Sequence, residues 1–163
     1  MDTLYFDFTI KSFDITPAVK LLLQGEIIVL PTDTVYGFHS IVKNNLKEQI
    51  NTIKGCEKTK PLITLDINFT PPFECNEPTT FIMDNNAVRN PKDTDLADIL
   101  KIIGQPIYST SANLTGEEVL NNGKDIYNKF KGQVAAVFDI GKLDKKSSKI
   151  VKLVKGEWIT VRN

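Results

Sequence analysis

The sequence predicts an α/β domain, and three observations carry that reading. Short apolar runs suited to strands alternate with stretches of helical periodicity. Capping residues, prolines and glycines mark helix boundaries, as at Thr16-Pro17 with Gly25 and at Thr94 with Gly104. Polar clusters follow directly after strand candidates, which is where an open α/β sheet binds ligands.

Residues 4–9 alternate apolar and polar side chains and read as a strand. Thr16-Pro17 starts a helix, a capping hydroxyl followed by a first-turn proline, and AVKLLLQ continues it until Gly25 stops it. EIIVL, residues 26–30, is a buried-strand candidate that feeds straight into Pro31. A second helix is expected over residues 46–53, ending at Lys54-Gly55. Residues 62–67 read as a strand and the proline-rich, polar residues 68–78 as a loop. Residues 79–83 and 87–89 are short strands around a turn at Asp84-Asn85-Asn86. A helix over residues 95–103 is bounded by Thr94 and Gly104, and a strand over 106–109 empties into the polar loop 110–116. A helix over 124–130 precedes a strand over 134–140. Two last strands, 150–154 and 158–161, are joined by Lys155-Gly156-Glu157. Neither an internal repeat nor a long linker interrupts this order, so residues 1–163 are expected to form one domain.

Composition narrows the chemistry. Lys and Arg number 20, as do Asp and Glu, so no overall field draws the chain to nucleic acid. The basic cluster Lys142, Lys145, Lys146, Lys149, Lys152 and Lys155 reads as a solvated face, with a phosphate or RNA contact as its alternative. Cys56, Cys75 and the single His39 fall short of the four ligands of a structural zinc site, and one histidine leaves little room for a Ser-His-Asp triad. No apolar run approaches the roughly 20 residues that span a bilayer. The first residues, MDTLYFDFTIK, lack the pattern of a signal peptide, so a cytoplasmic location is expected.

Three clusters offer chemistry. In Pro31-Thr32-Asp33-Thr34-Val35-Tyr36-Gly37, two hydroxyls and a carboxylate share a turn; it is either structural or a holder for a carboxylate or phosphate, with Tyr36 stacking or donating. Ser109-Thr110-Ser111-Ala112-Asn113-Leu114-Thr115-Gly116 packs four hydroxyls and an amide after a strand, either an ordinary loop or a neutral anion cradle. Lys54, Lys58 and Lys60 straddle a helix end, capping it or walling a pocket for a triphosphate, to which Arg89 would add a planar fork. No GxxxxGK[ST] or GxGxxG run is present, so a nucleotide would need a different cradle.

In this order the clusters resemble the YrdC/Sua5 family of threonylcarbamoyl-AMP synthases. The matching pieces are GEIIVLPTDTVYGF, IKGCEKTKPL, AVRNP and IYSTSANLTG, with weaker echoes in SSKIVKL and ITVRN. The resemblance implies the YrdC/RibB-type fold, a twisted mixed sheet with flanking helices in one compact domain. It implies condensation of L-threonine, bicarbonate and ATP to threonylcarbamoyl-adenylate and pyrophosphate, with Mg²⁺ carried by the ATP and no metal held by the protein itself. The product would pass to a downstream threonylcarbamoyl transferase modifying tRNA, with tRNA as a further partner. By position, Lys54, Ser111 and Asn113 would be the catalytic set. Thr32, Thr34 and Tyr36 would line the threonine pocket, and Lys60, Arg89, Ser109, Ser148 and Arg162 would contact substrate. Three departures stand out. Cys56 occupies the position of the family's arginine, Lys149 replaces a threonine, and the segment from Asp66 to Pro78 is short. They keep open a second reading, a non-catalytic paralogue that retains the cleft for nucleotide or RNA.

Overall fold

The computed structural model describes residues 1–92 and 94–163. Among the described residues, ten strands and four helices run in the order β1 (Leu4–Asp7), α1 (Thr16–Leu23), β2 (Ile28–Leu30), β3 (Gly37–Ile41), α2 (Asn44–Ile53), β4 (Ile63–Leu65), β5 (Thr79–Met83), β6 (Asn86–Arg89), α3 (Asp95–Ile103), β7 (Ile107–Ser111), α4 (Gly123–Phe130), β8 (Ala136–Asp139), β9 (Lys149–Val154) and β10 (Glu157–Arg162). All strands join one mixed sheet, ordered β1-β8-β2-β3-β7-β4-β6-β5-β9-β10.

Alternation along the strands sends side chains to two cores. Ile28, Leu30 and Phe138 pack under α1 and α3 with Leu22, Leu96, Ile99 and Leu100. Val29, Phe38 and Val137 face the other way, against Leu46 and Ile50 of α2 and Ile126 and Phe130 of α4. Beyond β4 the sheet continues without a helix, and aromatic packing takes over. Phe69 and Phe73, from the segment expected to be a loop, lean on Phe81 with ring centroids 5.7 and 5.2 Å away, and Trp158 meets Phe73 and Phe81 at 5.7 and 5.5 Å.

The helix signals are local and hold. Thr94 accepts from the Ala97 N–H at 3.3 Å, and Gly104 ends α3 at φ +69°. At α1 the capping group differs from expectation: Thr16 is already helical, and the Asp14 carboxylate takes its N–H at 3.0 Å. β3 was not anticipated. All five of its residues are buried, so the segment has no alternation to reveal it, and His39 and Ser40 interrupt its apolar run. β3 is the strand on which the site depends, because it lies between β2 and β7 in the sheet.

One glycine is dictated by packing. A Cβ at Gly123 would lie 2.4 Å from Cγ and Oδ1 of Asp139. Asp139 cannot retreat, because its carboxylate accepts from Tyr5 and from the Gly141 N–H at 2.8 Å. Gly123→Ala is therefore expected to lower unfolding free energy by about 2 kcal/mol, measured by urea denaturation. An unchanged midpoint would show that α4 shifts freely.

Candidate functional site

The strand ends collect the motif residues around one small cleft of about 100 Å³. Thr32 and Thr34 come from the turn after β2, Ser109 and Ser111 from β7, Arg89 from the end of β6, Ser148 from the segment before β9, and Arg162 from the end of β10. The β3–β7 register, Gly37 opposite Ser111 and His39 opposite Ser109, brings the first two polar clusters edge to edge. A larger cavity of about 500 Å³ adjoins through Thr32 and includes Asp33, Thr94, Asp98, Lys101 and Lys145.

The protons of the hydroxyls can be traced. Thr32 Oγ1 donates to the Val35 carbonyl at 2.7 Å and accepts the Thr34 N–H at 2.9 Å. Its one hydrogen is thus committed, so Thr34 must be the donor in the 2.9 Å bond between the two hydroxyls. Thr34 is left presenting lone pairs to the cleft. Ser111 likewise donates to Asn113 Oδ1 at 2.6 Å. Both hydroxyls are therefore acceptors, suited to a ligand N–H more than to an anion.

Cations supply the opposite polarity. Arg89, 3% exposed, pairs with Asp33 at the rim, and its Nε has no partner among the described residues. Arg162 donates to the Ser148 carbonyl at 2.9 Å and to its hydroxyl at 3.2 Å, and Ser148 bonds Thr80 at 2.8 Å. Burial, and then the charge of Arg89, push the Arg162 pKa down. Two guanidiniums line the cleft and a carboxylate pairs with only one of them, Arg89, which leaves an excess of positive charge.

Lys54 serves this cleft from behind. Its ammonium donates to the Ser111 carbonyl at 2.6 Å and to the carbonyl and Oδ1 of Asn113, each at 3.1 Å, with Ser111 Oγ at 3.4 Å. Asn113 in turn donates to the carbonyls of Leu114 and Glu117. Lys54, Ser111 and Asn113 are thus one hydrogen-bonded unit that shapes the β7 loop, and Ser111 is the member lining the cleft. No carboxylate pairs with Lys54 among the described residues, and burial pushes its pKa down to about 8.

Two expected site residues lie elsewhere. Tyr36 does not line the cleft: it is fully buried in the α2–α4 core, donating to the Gly141 carbonyl at 2.6 Å and accepting the Ile140 N–H at 3.0 Å. Strand alternation turns it to the face opposite Gly37, and it ties the Thr32–Thr34 turn to the end of β8. Lys60 is exposed and outside the cleft lining, although its charge is felt by Lys54. Cys56 is half-buried, its thiol directed at Asn51 Oδ1 and carbonyl at 3.4 and 3.5 Å, so it offers the cleft no cation. Sequence reading passed over His39, fully buried with Nε2 3.0 Å from Ser109 Oγ. A period-two reading from Gly37 would have placed it on the cleft face.

Residues 20–70 and 75–163 match the profile of the Sua5/YciO/YrdC family, described as "Telomere recombination". The threonylcarbamoyl-AMP synthase of Bacillus subtilis (strain 168) is 25% identical over 159 residues, covering 78% of this chain and 46% of that protein. Escherichia coli YciO superposes with a TM-score of 0.82 at 20% identity, covering 99% of this chain and 95% of its own. P. abyssi Sua5 complexed with L-threonine gives 0.81 at 20% identity, covering 99% of this chain and 57% of its own. This chain spans about half the length of the Bacillus enzyme and of P. abyssi Sua5. A match along most of its residues and a shared mixed-sheet fold make the chain a member of the Sua5/YciO/YrdC family.

Proposed function

We propose that this protein is an L-threonylcarbamoyladenylate synthase, joining L-threonine, bicarbonate and ATP with release of pyrophosphate. The observation that carries the reading is the pairing of polarities in one cleft: Arg89 and Arg162 line it together with the acceptor hydroxyls of Thr34 and Ser111. An amino acid brings an ammonium that acceptor hydroxyls hold, and ATP brings the phosphates that guanidiniums hold. After the ammonium gives up a proton to solvent, the free amine adds to bicarbonate with loss of water. The resulting carbamate oxygen then attacks the α-phosphorus, and pyrophosphate leaves.

Such a reaction asks for reactants held in line and for neutralised charge more than for a strong base. Arg89 and Arg162 supply the charge; the Lys54–Ser111–Asn113 unit holds the loop that orients the nucleotide. Magnesium would enter bound to ATP, where it neutralises phosphate charge. The carboxylate at the rim, Asp33, is engaged by Arg89, and no group of three or more His, Cys, Asp or Glu is arranged to hold a metal among the described residues. The cleft's volume of about 100 Å³ is below the usual range for a small-molecule pocket, so nucleotide would extend into the adjoining cavity past Asp33.

The test is pyrophosphate release from purified protein with ATP, Mg²⁺ and bicarbonate, with and without L-threonine. Release that depends on threonine is expected; silence from folded protein that binds ATP would replace this reading. Cys56 favours that second reading, a binding paralogue, because its thiol faces Asn51 where the family's arginine would carry charge. Transfer of the product to a threonylcarbamoyl transferase for tRNA modification completes the proposal.

A further inference from the structure

Among the cleft's hydroxyls, Ser109 has a partner unlike the others. Its Oγ lies 3.0 Å from His39 Nε2, across the β3–β7 register, while Thr34 and Ser111 bond other oxygens. Which of the two atoms donates decides what Ser109 offers a ligand. If the serine donates to the imidazole, only lone pairs remain for the cleft; if the imidazole donates, the serine proton is free.

The surroundings of the ring decide it. His39 is fully buried, and its Nδ1 has no hydrogen-bond partner among the described residues. A buried N–H without an acceptor is rarer and costlier than a lone pair without a donor, so Nδ1 is the bare nitrogen and Nε2 carries the proton. Burial, and then the charge of Arg89, hold the ring neutral and push its pKa down to about 3, against a smaller opposing contribution from the Gly37 backbone. Gly37 makes the placement possible: a Cβ there would lie 2.9 Å from His39 Cε1 and 3.3 Å from Nε2. The glycine at the end of the PTDTVYG turn thus leaves room for the imidazole to fold onto the cleft wall.

We propose that His39 is a positioning residue whose Nε2–H bond to Ser109 turns the serine proton into the cleft, making Ser109 the hydroxyl donor to an anionic ligand oxygen. Ser109 shares the cleft with Arg89 and Arg162, so its proton and the two guanidiniums address the same anion. The wall then has two sides: Thr34 and Ser111 accept, Ser109 donates. The inference rests on the cleft being an anion site, as the proposed function requires, but it does not need the chemistry to proceed.

His39 is the sole histidine of the chain, so one imidazole signal reports on the site. In ¹⁵N-labelled full-length protein titrated with inorganic pyrophosphate, NMR should show the Nε2–H tautomer, with an Nε2 resonance that shifts saturably. Ser109→Ala should weaken pyrophosphate about tenfold and abolish that shift. His39→Leu should weaken it similarly, while His39→Gln, whose amide can donate to Ser109, should recover most of the affinity. An Nδ1–H tautomer, an unmoved Nε2 resonance, no pyrophosphate binding by the wild type, or undiminished affinity in Ser109→Ala would each overturn the proposal. Absence of threonine-dependent turnover alongside a pyrophosphate-shifted His39 would count against the synthase reading and leave this inference standing.

Discussion

Replacing Arg89 with methionine should cut threonine-dependent pyrophosphate release about 100- to 1000-fold, the scale expected when a preorganised charge is removed from a reacting phosphoryl group. Methionine keeps much of the side-chain volume, so the loss reports charge more than shape. The same change leaves Asp33 without its cation. That carboxylate is 14% exposed on its side chain, so water relieves part of the penalty, and an unfolding cost of about 2 kcal/mol is expected. Stability and function should therefore separate, with a folded protein by circular dichroism and a large defect in initial rate.

Asp33→Asn supplies the opposite sign. In the free protein Asp33 occupies the guanidinium that an incoming phosphate would use. Neutralising it should tighten pyrophosphate binding about fivefold by isothermal titration, the size of a partly solvated ion pair. If both substitutions weaken binding equally, Asp33 is itself part of the ligand site and the competition argument fails.

Lys54→Met is expected to have the largest effect on stability, about 3 kcal/mol, with loss of measurable turnover. Lys54 is 6% exposed, and its ammonium gathers the Ser111 and Asn113 carbonyls and Asn113 Oδ1. Without it those oxygens lose a shared donor, and the loop carrying Ser111 into the cleft loses its anchor. pH tests the same site. The folded pKa of about 8 lies below the ordinary lysine value of 10.5, so between these pH values the unfolded chain binds more protons. This group's contribution to stability must then rise as pH goes from 8 towards 10.5. The stability gap between wild type and Lys54→Met should widen across that window in urea titrations; a gap that stays flat would mean the ammonium is not depressed.

Much of the fold was legible because its signals are local. Thr94 and Gly104 bracket α3 as read, and residues 79–83 form β5 as read, since caps and a short β-branched and aromatic run act within a few residues. β3 was hidden by burial on both faces, which removes the alternation that marks a strand. The segment at 68–78 read correctly as lacking regular structure, yet its Phe69 and Phe73 cover a helix-free part of the sheet, a role that appears only when Phe81 and Trp158 are brought beside them.

For the site, side-chain chemistry was readable and direction was not. The Thr32 and Thr34 hydroxyls, the Ser109–Asn113 loop, Arg89, Ser148 and Arg162 were all named from composition, order and resemblance, and all gather around one cleft or its supporting loop. Tyr36 went the other way because its strand neighbour Gly37 faces the cleft and alternation sends Tyr36 to the core. By itself the sequence determined which groups were available: hydroxyls, amides and cations after strands, with one histidine and two thiols. Tertiary structure alone decided which of them meet, because His39 reaches Ser109 across the β3–β7 pair and Lys54 reaches the Ser111 and Asn113 oxygens from the end of α2, contacts between residues far apart in the chain that exist only once the sheet is assembled.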